Sequence, residues 1–326
     1  MRAVHVGATD GHPLSIRELP DPVVGDDELL IDVAAAGVNR ADLLQRRGRY
    51  PPPPGSSEVL GLEIAGRVRE IGSAVAGWSE GDPAMALLAG GGYAETVAVP
   101  AAHALPIPEN LDPIEAAAVP EAFLTAAHTL RLLAPVGDGD RLLVHAAGSG
   151  VGTAAVQMGR ALGARVCGTI RTAAKADRVR LLGAEPVVVG ADRDFADRAR
   201  AALGGGATVV FDLVGASYWP QTLATLDEDG TVSVVGLMGG ARIELDLAAL
   251  MRRRARVVAA TLRPLPHDRK ASLVDDFRRW GLPRIASGEL RPVVDRVLPL
   301  DRAEEAHRVV EANETVGKLV LRIGQL

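Results

Sequence analysis

From about Asp112 to about Gly288, the chain repeats one pattern: a short apolar run, then an Ala/Leu-rich stretch long enough for a helix. The apolar runs are Arg141 to Ala146, Arg165 to Ile170, Val187 to Val189, Val209 to Val214, Thr231 to Val235 and Arg256 to Thr261. Parallel strands cannot be joined by a tight turn, and a crossover of about a dozen residues, usually a helix, is their standard link. The spacing therefore predicts an α/β domain built on a doubly wound parallel sheet.

The flanks have a different texture. The first hundred residues are rich in Pro and Gly, and short runs at 29–36, 64–71 and 84–88 are separated by turn signals such as Gly81-Asp82-Pro83. That predicts a compact, mostly antiparallel β domain. After Gly288 the β texture returns in Val293 to Leu298. Asp301 and Glu304 then stand at capping-box spacing before a short helix, and Lys318 to Ile323 reads as a closing strand. The expected organisation is a mostly β domain of residues 1–118 and 289–326, interrupted by a nucleotide-binding domain of residues 119–288. A length of 326 residues suits two domains rather than one core.

Composition excludes several classes of function. A net charge of −5 and no basic run longer than Arg252-Arg253-Arg254 argue against a nucleic-acid partner. That short run reads as a solvated helix end or the rim of a subunit contact. No stretch of 18 apolar residues exists to span a membrane. Cys167 is the single cysteine, so neither an internal disulfide nor a Cys-rich zinc lobe can form. It lies in an apolar run and reads as a buried structural thiol. The N-terminus, Met1 to Val6, alternates like a strand and lacks a signal-peptide core, so a cytoplasmic location is expected.

The run Arg141 to His145 leads into Ala146-Ala147-Gly148-Ser149-Gly150-Val151-Gly152, with a helix expected from Thr153. Small residues at a strand–helix turn let backbone N–H groups approach a pyrophosphate, and the helix dipole favours the anion. The strict G-x-G-x-x-G spacing fails, because Thr153 stands where the third glycine would be. The surrounding β-α-β context is what makes Gly148, Ser149, Gly150, Val151 and Gly152 a candidate dinucleotide loop of Rossmann type.

The next strand selects the nucleotide. NAD sites commonly carry an acidic residue about 20 positions on, for the ribose 2′-hydroxyl. Here Gly168-Thr169-Ile170 is followed by Arg171, with Lys175 one turn later. Two cations suit a 2′-phosphate, so NADPH is the expected cofactor.

Several runs carry a family resemblance: Asn39-Arg40-Ala41-Asp42-Leu43, Gly61-Leu62-Glu63, Ser149-Gly150-Val151-Gly152 and Gly317-Lys318-Leu319-Val320-Leu321. Together they resemble the zinc-independent quinone oxidoreductases of the medium-chain dehydrogenase/reductase superfamily. Residues 45–55, 84–92, Ser217-Tyr218-Trp219 and 236–240 are especially similar to the tumour-suppressor-inducible quinone oxidoreductase branch. The resemblance covers essentially the whole chain. It implies that the mostly β domain is GroES-like and catalytic, that the partner is a small quinone or other conjugated carbonyl, and that the enzyme is a homodimer. Zinc-dependent relatives carry cysteine at the position of Asn39 and histidine at that of Leu62; an amide and an isobutyl group cannot replace those ligands, so no metal is expected.

The same resemblance places Asn39, Tyr50 and Thr125 around the nicotinamide and acceptor as catalytic residues, with Asn39 and Thr125 also touching the cofactor. Asn39 offers an amide for the ribose or a quinone oxygen. Tyr50 offers a ring to stack on an aromatic acceptor and a hydroxyl for its developing oxyanion. The plain alternatives are a turn asparagine, a packing tyrosine braced by Pro51 to Pro54, and a helix threonine bonded to its own backbone. Gly236, Leu237 and Met238 follow a strand C-terminus, where such folds bind ligands, although Met238 would also serve as core filler. Lys318 is expected near the cofactor, its alternative being a solvated strand end. Ser149 is expected to offer its hydroxyl to a phosphate, and His145 reads as a satisfied core histidine. Gly190 departs from relatives that carry tyrosine near the adenosine phosphate.

A second acceptor class, an enoyl thioester or enone, fits the same residues. A regulatory cofactor-binding protein is the third reading, and the acidic charge speaks against its nucleic-acid version.

Overall fold

The computed structural model describes residues 1–9 and 11–324. By contacts the chain forms two compact units, residues 1–124 with 263–326, and residues 125–262.

The first unit opens with a hairpin of β1 (Arg2–Val6) and β2 (Leu14–Glu18). Then follow β3 (Glu28–Val38), β4 (Glu63–Ile71), β5 (Pro83–Leu87), β6 (Thr96–Pro100) and β7 (Ala104–Pro106). Neighbours among these five pair antiparallel, as the alternation and turn signals predicted. The eleven residues of β3 are nearly all buried, because this strand pairs with β4, β6 and the C-terminal strand.

The second unit carries β8 (Arg141–Val144), β9 (Arg165–Ile170), β10 (Glu185–Val188), β11 (Ala207–Asp212), β12 (Leu226–Val234) and β13 (Arg256–Ala259). All pair parallel, in the order β10-β9-β8-β11-β12-β13. Counting from β8 this is 3-2-1-4-5-6, the doubly wound dinucleotide-binding order, with its switch point between β8 and β11. Cys167 on β9 is fully buried, and desolvation pushes its thiol up to about 12, so it is an inert core group.

The chain then returns to the first unit as β14 (Val294–Pro299) and β15 (Lys318–Arg322), which extend the sheet beside β3. The sequence-based boundary at 288 differs from the contacts, because the helix His267–Ala286 packs on the first unit. Phe277 meets Phe123 at 6.2 Å between ring centroids, Arg278 donates to Ala104 O at 2.8 Å, and Asn110 Nδ2 donates to Ile285 O at 2.9 Å. Burying one such phenyl ring is worth about 2–3 kcal/mol, which outweighs the helical texture that made the segment resemble the preceding insert.

The capping box expected of Asp301 and Glu304 does not form. The helix runs Ala303–Ala312 with Arg302 as N-cap, and the Glu304 carboxylate is used at longer range. It accepts from Leu14 N at 2.9 Å and pairs with Arg46 Nη2 at 2.6 Å. Arg252 and Arg253 close the helix Leu247–Arg253 as an exposed end.

Candidate functional site

In the first unit the C-terminal end of β3, the N-terminal end of β4 and the N-terminal end of β15 come together. The antiparallel registers place Val38 opposite Leu319 and Ala36 opposite Ile64, so Asn39, Glu63 and Lys318 meet at one corner. Lys318 Nζ lies 2.5 Å from Glu63 Oε1 and donates to Asn39 Oδ1 at 2.6 Å and to Val38 O at 3.1 Å. Asn39 Nδ2 donates to Glu63 Oε1 at 2.9 Å, and Glu63 Oε2 accepts from Glu121 N at 2.9 Å. A Cβ at Gly37 would lie 2.2 Å from Glu63 Oε1, so only glycine leaves room for the carboxylate.

A second layer lies behind. Asn39 is N-cap of the helix Arg40–Arg46, and its N–H donates to Asp42 Oδ2 at 2.7 Å. Asp42 also accepts from Tyr93 OH at 3.0 Å and from Gly61 N at 3.2 Å. Burial pushes the Asp42 carboxyl up to about 6, against the pull of those donors. Tyr93 OH lies 3.4 Å from His307 Nε2, and burial pushes that imidazole down to about 3. The half-buried Glu121 carboxyl is pushed up to about 8, first by desolvation and then by the Glu63 charge.

The expectations for Asn39 and Lys318 are thus refined: they share one buried cluster, and Lys318, 4% exposed, is no solvated strand end. Tyr50 is half-buried, with the Arg263 guanidinium 5.2 Å above its ring and donating to its carbonyl at 3.0 Å. The Tyr50 ring is therefore braced by Arg263. Thr125 is half-buried on the helix Pro120–Ala127 and is the first residue of the second unit by contacts.

In the second unit the helix starts at Gly150, earlier than the expected Thr153, because Ser149 is its N-cap. Ser149 Oγ accepts from Gly152 N at 3.0 Å, so this hydroxyl offers a phosphate its proton but not its acceptor side. A Cβ at Gly152 would lie 2.3 Å from Ala146 O, and one at Gly148 would lie 3.2 Å from Lys175 Cδ. The loop is thus packed so that glycine alone fits at 152, and the Lys175 stem lies over Gly148. Ala146 holds a left-handed backbone, φ 51°, where the chain leaves β8. Gly150 and Val151 are half-buried in the first turn, and Arg171 is exposed just past β9. Gly190 has only the Asp192 side chain near its missing Cβ.

Beyond β12, Leu237 and Met238 are 54% and 42% exposed, so Met238 is not core filler. Gly236 and Gly239 are held against residues 213–217: Gly239 N donates to Val214 O at 2.7 Å and Ala216 N to Gly240 O at 2.9 Å. Asp212 anchors this pair of loops, its Oδ1 accepting from Val214 N at 2.7 Å and Gly215 N at 2.9 Å. His145 is a satisfied core histidine as expected, with Thr169 Oγ1 and Thr222 Oγ1 3.1 and 2.9 Å from its ring nitrogens.

Sequence reasoning did not single out Asp42, Glu63, Glu121, Arg263 or Lys270. Asp42, Glu63, Glu121 and Arg263 each draw a partner from far along the chain, Tyr93, Lys318, Glu63 and Ala89 in turn. The one available signal was that Asp42 and Glu63 lie inside the runs that carry the family resemblance.

Among the described residues, no three His, Cys, Asp or Glu side chains are grouped to hold a metal ion. In the corner formed by β3, β4 and β15 the cation is the Lys318 ammonium.

Comparison with known proteins bears on the family and the fold. Residues 25–109 match the alcohol dehydrogenase GroES-like domain, and residues 150–277 match the zinc-binding dehydrogenase family. The chain is 30% identical over 330 residues to human quinone oxidoreductase, covering 98% of this chain and 97% of that one. The chain belongs to the medium-chain dehydrogenase/reductase superfamily. The quinone oxidoreductase of Thermus thermophilus, solved also in complex with NADPH, is 35% identical, with a TM-score of 0.84 over 99% of this chain and all of that one. A segment of the polyketide synthase GfsB of Streptomyces halstedii is 33% identical over 91% of this chain, which spans 5% of that protein. The medium-chain membership makes the protein an α/β oxidoreductase with a GroES-like and a Rossmann-like part. No helix among the described residues is long and apolar enough to cross a membrane.

Proposed function

We propose that this medium-chain reductase is an NADPH:quinone oxidoreductase that works without zinc. The observation that carries the reading is the corner of Asn39, Glu63 and Lys318. A metal there would need thiolate, imidazole or carboxylate donors around an open position. Instead Glu63 is saturated by an ammonium, an amide and a backbone N–H. Without a Lewis acid, the acceptor must itself be a good hydride sink, as a quinone is, and the known quinone oxidoreductase relatives support that choice.

NADPH, when bound, supplies a hydride from its nicotinamide C4. The backbone N–H groups of Gly150 and Val151 and the helix dipole favour the pyrophosphate. Arg171 and Lys175 favour the 2′-phosphate, and Gly236, Leu237 and Met238 bound the switch-point crevice. The Lys318–Glu63 pair fixes Asn39, whose amide orients the ribose or the acceptor oxygen. Tyr50, braced by Arg263, stacks on the acceptor ring and donates its hydroxyl proton to the developing oxyanion. Thr125 is the remaining polar group assigned to the cofactor.

Within the superfamily, the runs at 45–55 and 84–92 support the tumour-suppressor-inducible branch. A homodimer is proposed through β13, the terminal strand of its sheet, where Val257 is 45% exposed. A cytoplasmic setting suits the lone, inert Cys167. The proposed domains follow the expected division, with the helix His267–Ala286 moved to the catalytic part.

The likeness to a polyketide synthase segment supports a second acceptor class, an enoyl thioester. The test is NADPH consumption with 1,2-naphthoquinone and with a 2-enoyl thioester, each with and without a zinc chelator. Chelator-insensitive turnover of the quinone is expected. Preference for the thioester, or a dependence on zinc, overturns the reading, and no turnover of either favours a cofactor-binding protein.

A further inference from the structure

Two buried cations in the first unit form no ion pair among the described residues, although buried cations are ordinarily paired. Arg263 is 3% exposed, yet its guanidinium reaches only neutral acceptors. Nε donates to Ala89 O at 2.7 Å, Nη1 to Tyr50 O at 3.0 Å and Nη2 to Gln45 Oε1 at 2.8 Å. A guanidinium has five N–H groups, so two remain after these three bonds. Lys270 is 6% exposed, and its ammonium donates to no acceptor among the described residues.

Both side chains line one pocket of about 550 Å³, whose wall residues all belong to the first unit. The one carboxylate on that wall, Glu28, already accepts from Gly25 N at 2.9 Å. Glu121, the carboxyl that acts most strongly on Lys270, does not line the pocket, and burial pushes it up to about 8. His103 stacks on His267 at 4.3 Å on the same wall, and burial pushes it down to about 4, so it stays neutral. The helix His267–Ala286 begins here with Pro266 as N-cap, and its first turn receives no side-chain cap. A lysine near a helix N-terminus opposes the dipole, and the acidic residue of this turn, Asp268, is exposed. The rest of the wall includes Leu87, Leu88, Val97, Val99 and Leu265.

We infer that this pocket binds the oxyanion of a small organic molecule, a phosphate monoester or carboxylate carried on an apolar body. The two unspent guanidinium protons and the Lys270 ammonium would hold the anion, and the aliphatic wall would cover the body. The volume suits a small-molecule ligand. The inference does not depend on which acceptor takes the hydride, and Lys270 stands apart from Tyr50, which only Arg263 braces.

The chain has three lysines, Lys175, Lys270 and Lys318, each in a different setting. The full chain, labelled with ¹³C at the lysine ε carbons and saturated with NADP⁺, is titrated with phenyl phosphate, benzoate and neutral phenol. Lys270→Arg and Lys175→Arg assign the signals. A saturable shift of the Lys270 signal with at least one of the two anions, and none with phenol, is the expected result. Whichever anion binds more tightly separates phosphate from carboxylate as the natural group. Lys270→Met should weaken that binding at least tenfold, whereas Lys270→Arg should keep it within threefold. The inference is overturned if only the Lys175 or Lys318 signal moves, if phenol shifts Lys270 equally, or if no signal moves. It fails equally if Lys270→Met binds as wild type does. Should Lys270→Met not fold, the wild-type titration and Lys270→Arg decide.

Discussion

Lys318 Nζ sits 2.5 Å from Glu63 Oε1, with the two side chains 5% and 0% exposed. Such a buried pair contributes less than its Coulomb attraction suggests, because both charges are desolvated; removing one partner is far more costly than removing both. Lys318→Met should destabilise the fold by about 3–5 kcal/mol in denaturant unfolding. The double variant Lys318→Met/Glu63→Gln should recover more than half of that loss. A single-variant loss below about 1 kcal/mol would mean that the corner is not electrostatically coupled.

The phosphate assignment rests on Arg171 and Lys175. Arg171→Glu combined with Lys175→Glu should weaken NADPH by about 100-fold or more, since charge-assisted bonds are worth about 1.5–3 kcal/mol each. NADH should change by less than about tenfold, the effect of one lost neutral hydrogen bond. Equal losses in fluorescence titrations would remove both residues from the 2′-phosphate.

Gly152→Ala tests the loop itself. The added Cβ would meet Ala146 O at 2.3 Å and Ser149 Oγ at 2.9 Å, so the helix start must shift. NADPH affinity should fall at least about tenfold, equivalent to about 1.4 kcal/mol. Circular dichroism should report an unchanged helix content.

His307 makes stability pH-dependent. Its folded pKa is depressed to about 3, so the unfolded chain binds the proton first as pH falls. Stability is therefore lost as pH drops below about 6.5, the unfolded value, toward the folded one. His307→Gln removes this term, so its deficit at pH 7 should shrink by about 2–3 kcal/mol at pH 4.5. The carboxyls of Asp42 and Glu121, with raised pKa values, act in the opposite sense and are common to both proteins, so the difference isolates His307. A pH-independent deficit would show that the imidazole is solvated.

Tyr50→Ala should lower turnover of bulky quinones about tenfold or more, while Tyr50→Phe, which keeps the ring under Arg263, should retain most acceptor binding but lose turnover. Steady-state rates that match wild type in both variants would take Tyr50 out of the site.

Much of this arrangement was legible in the residues. The six strands of the parallel sheet, the loop from Ala146 to Gly152 and the return of β14 and β15 to the first unit each follow from local pattern. Apolar runs, small residues and turn signals act over a few positions. Where reading by neighbours fell short, the cause was long-range pairing: Glu304 left its own helix for Arg46 and Leu14, and the helix His267–Ala286 followed Phe123 rather than its sequence neighbours. The Arg263 contact with Tyr50 was illegible for the same reason.

The sequence by itself determined the strand and helix periods, the glycines between β8 and the helix that follows it, and the basic pair after β9. Only the tertiary structure decided which charges are buried together. Desolvation and pairing depend on distance in space, and sheet register brings Lys318 to Glu63 from opposite ends of the chain. The same packing places Arg263 and Lys270 on the wall of one pocket, with no ion pair to either among the described residues.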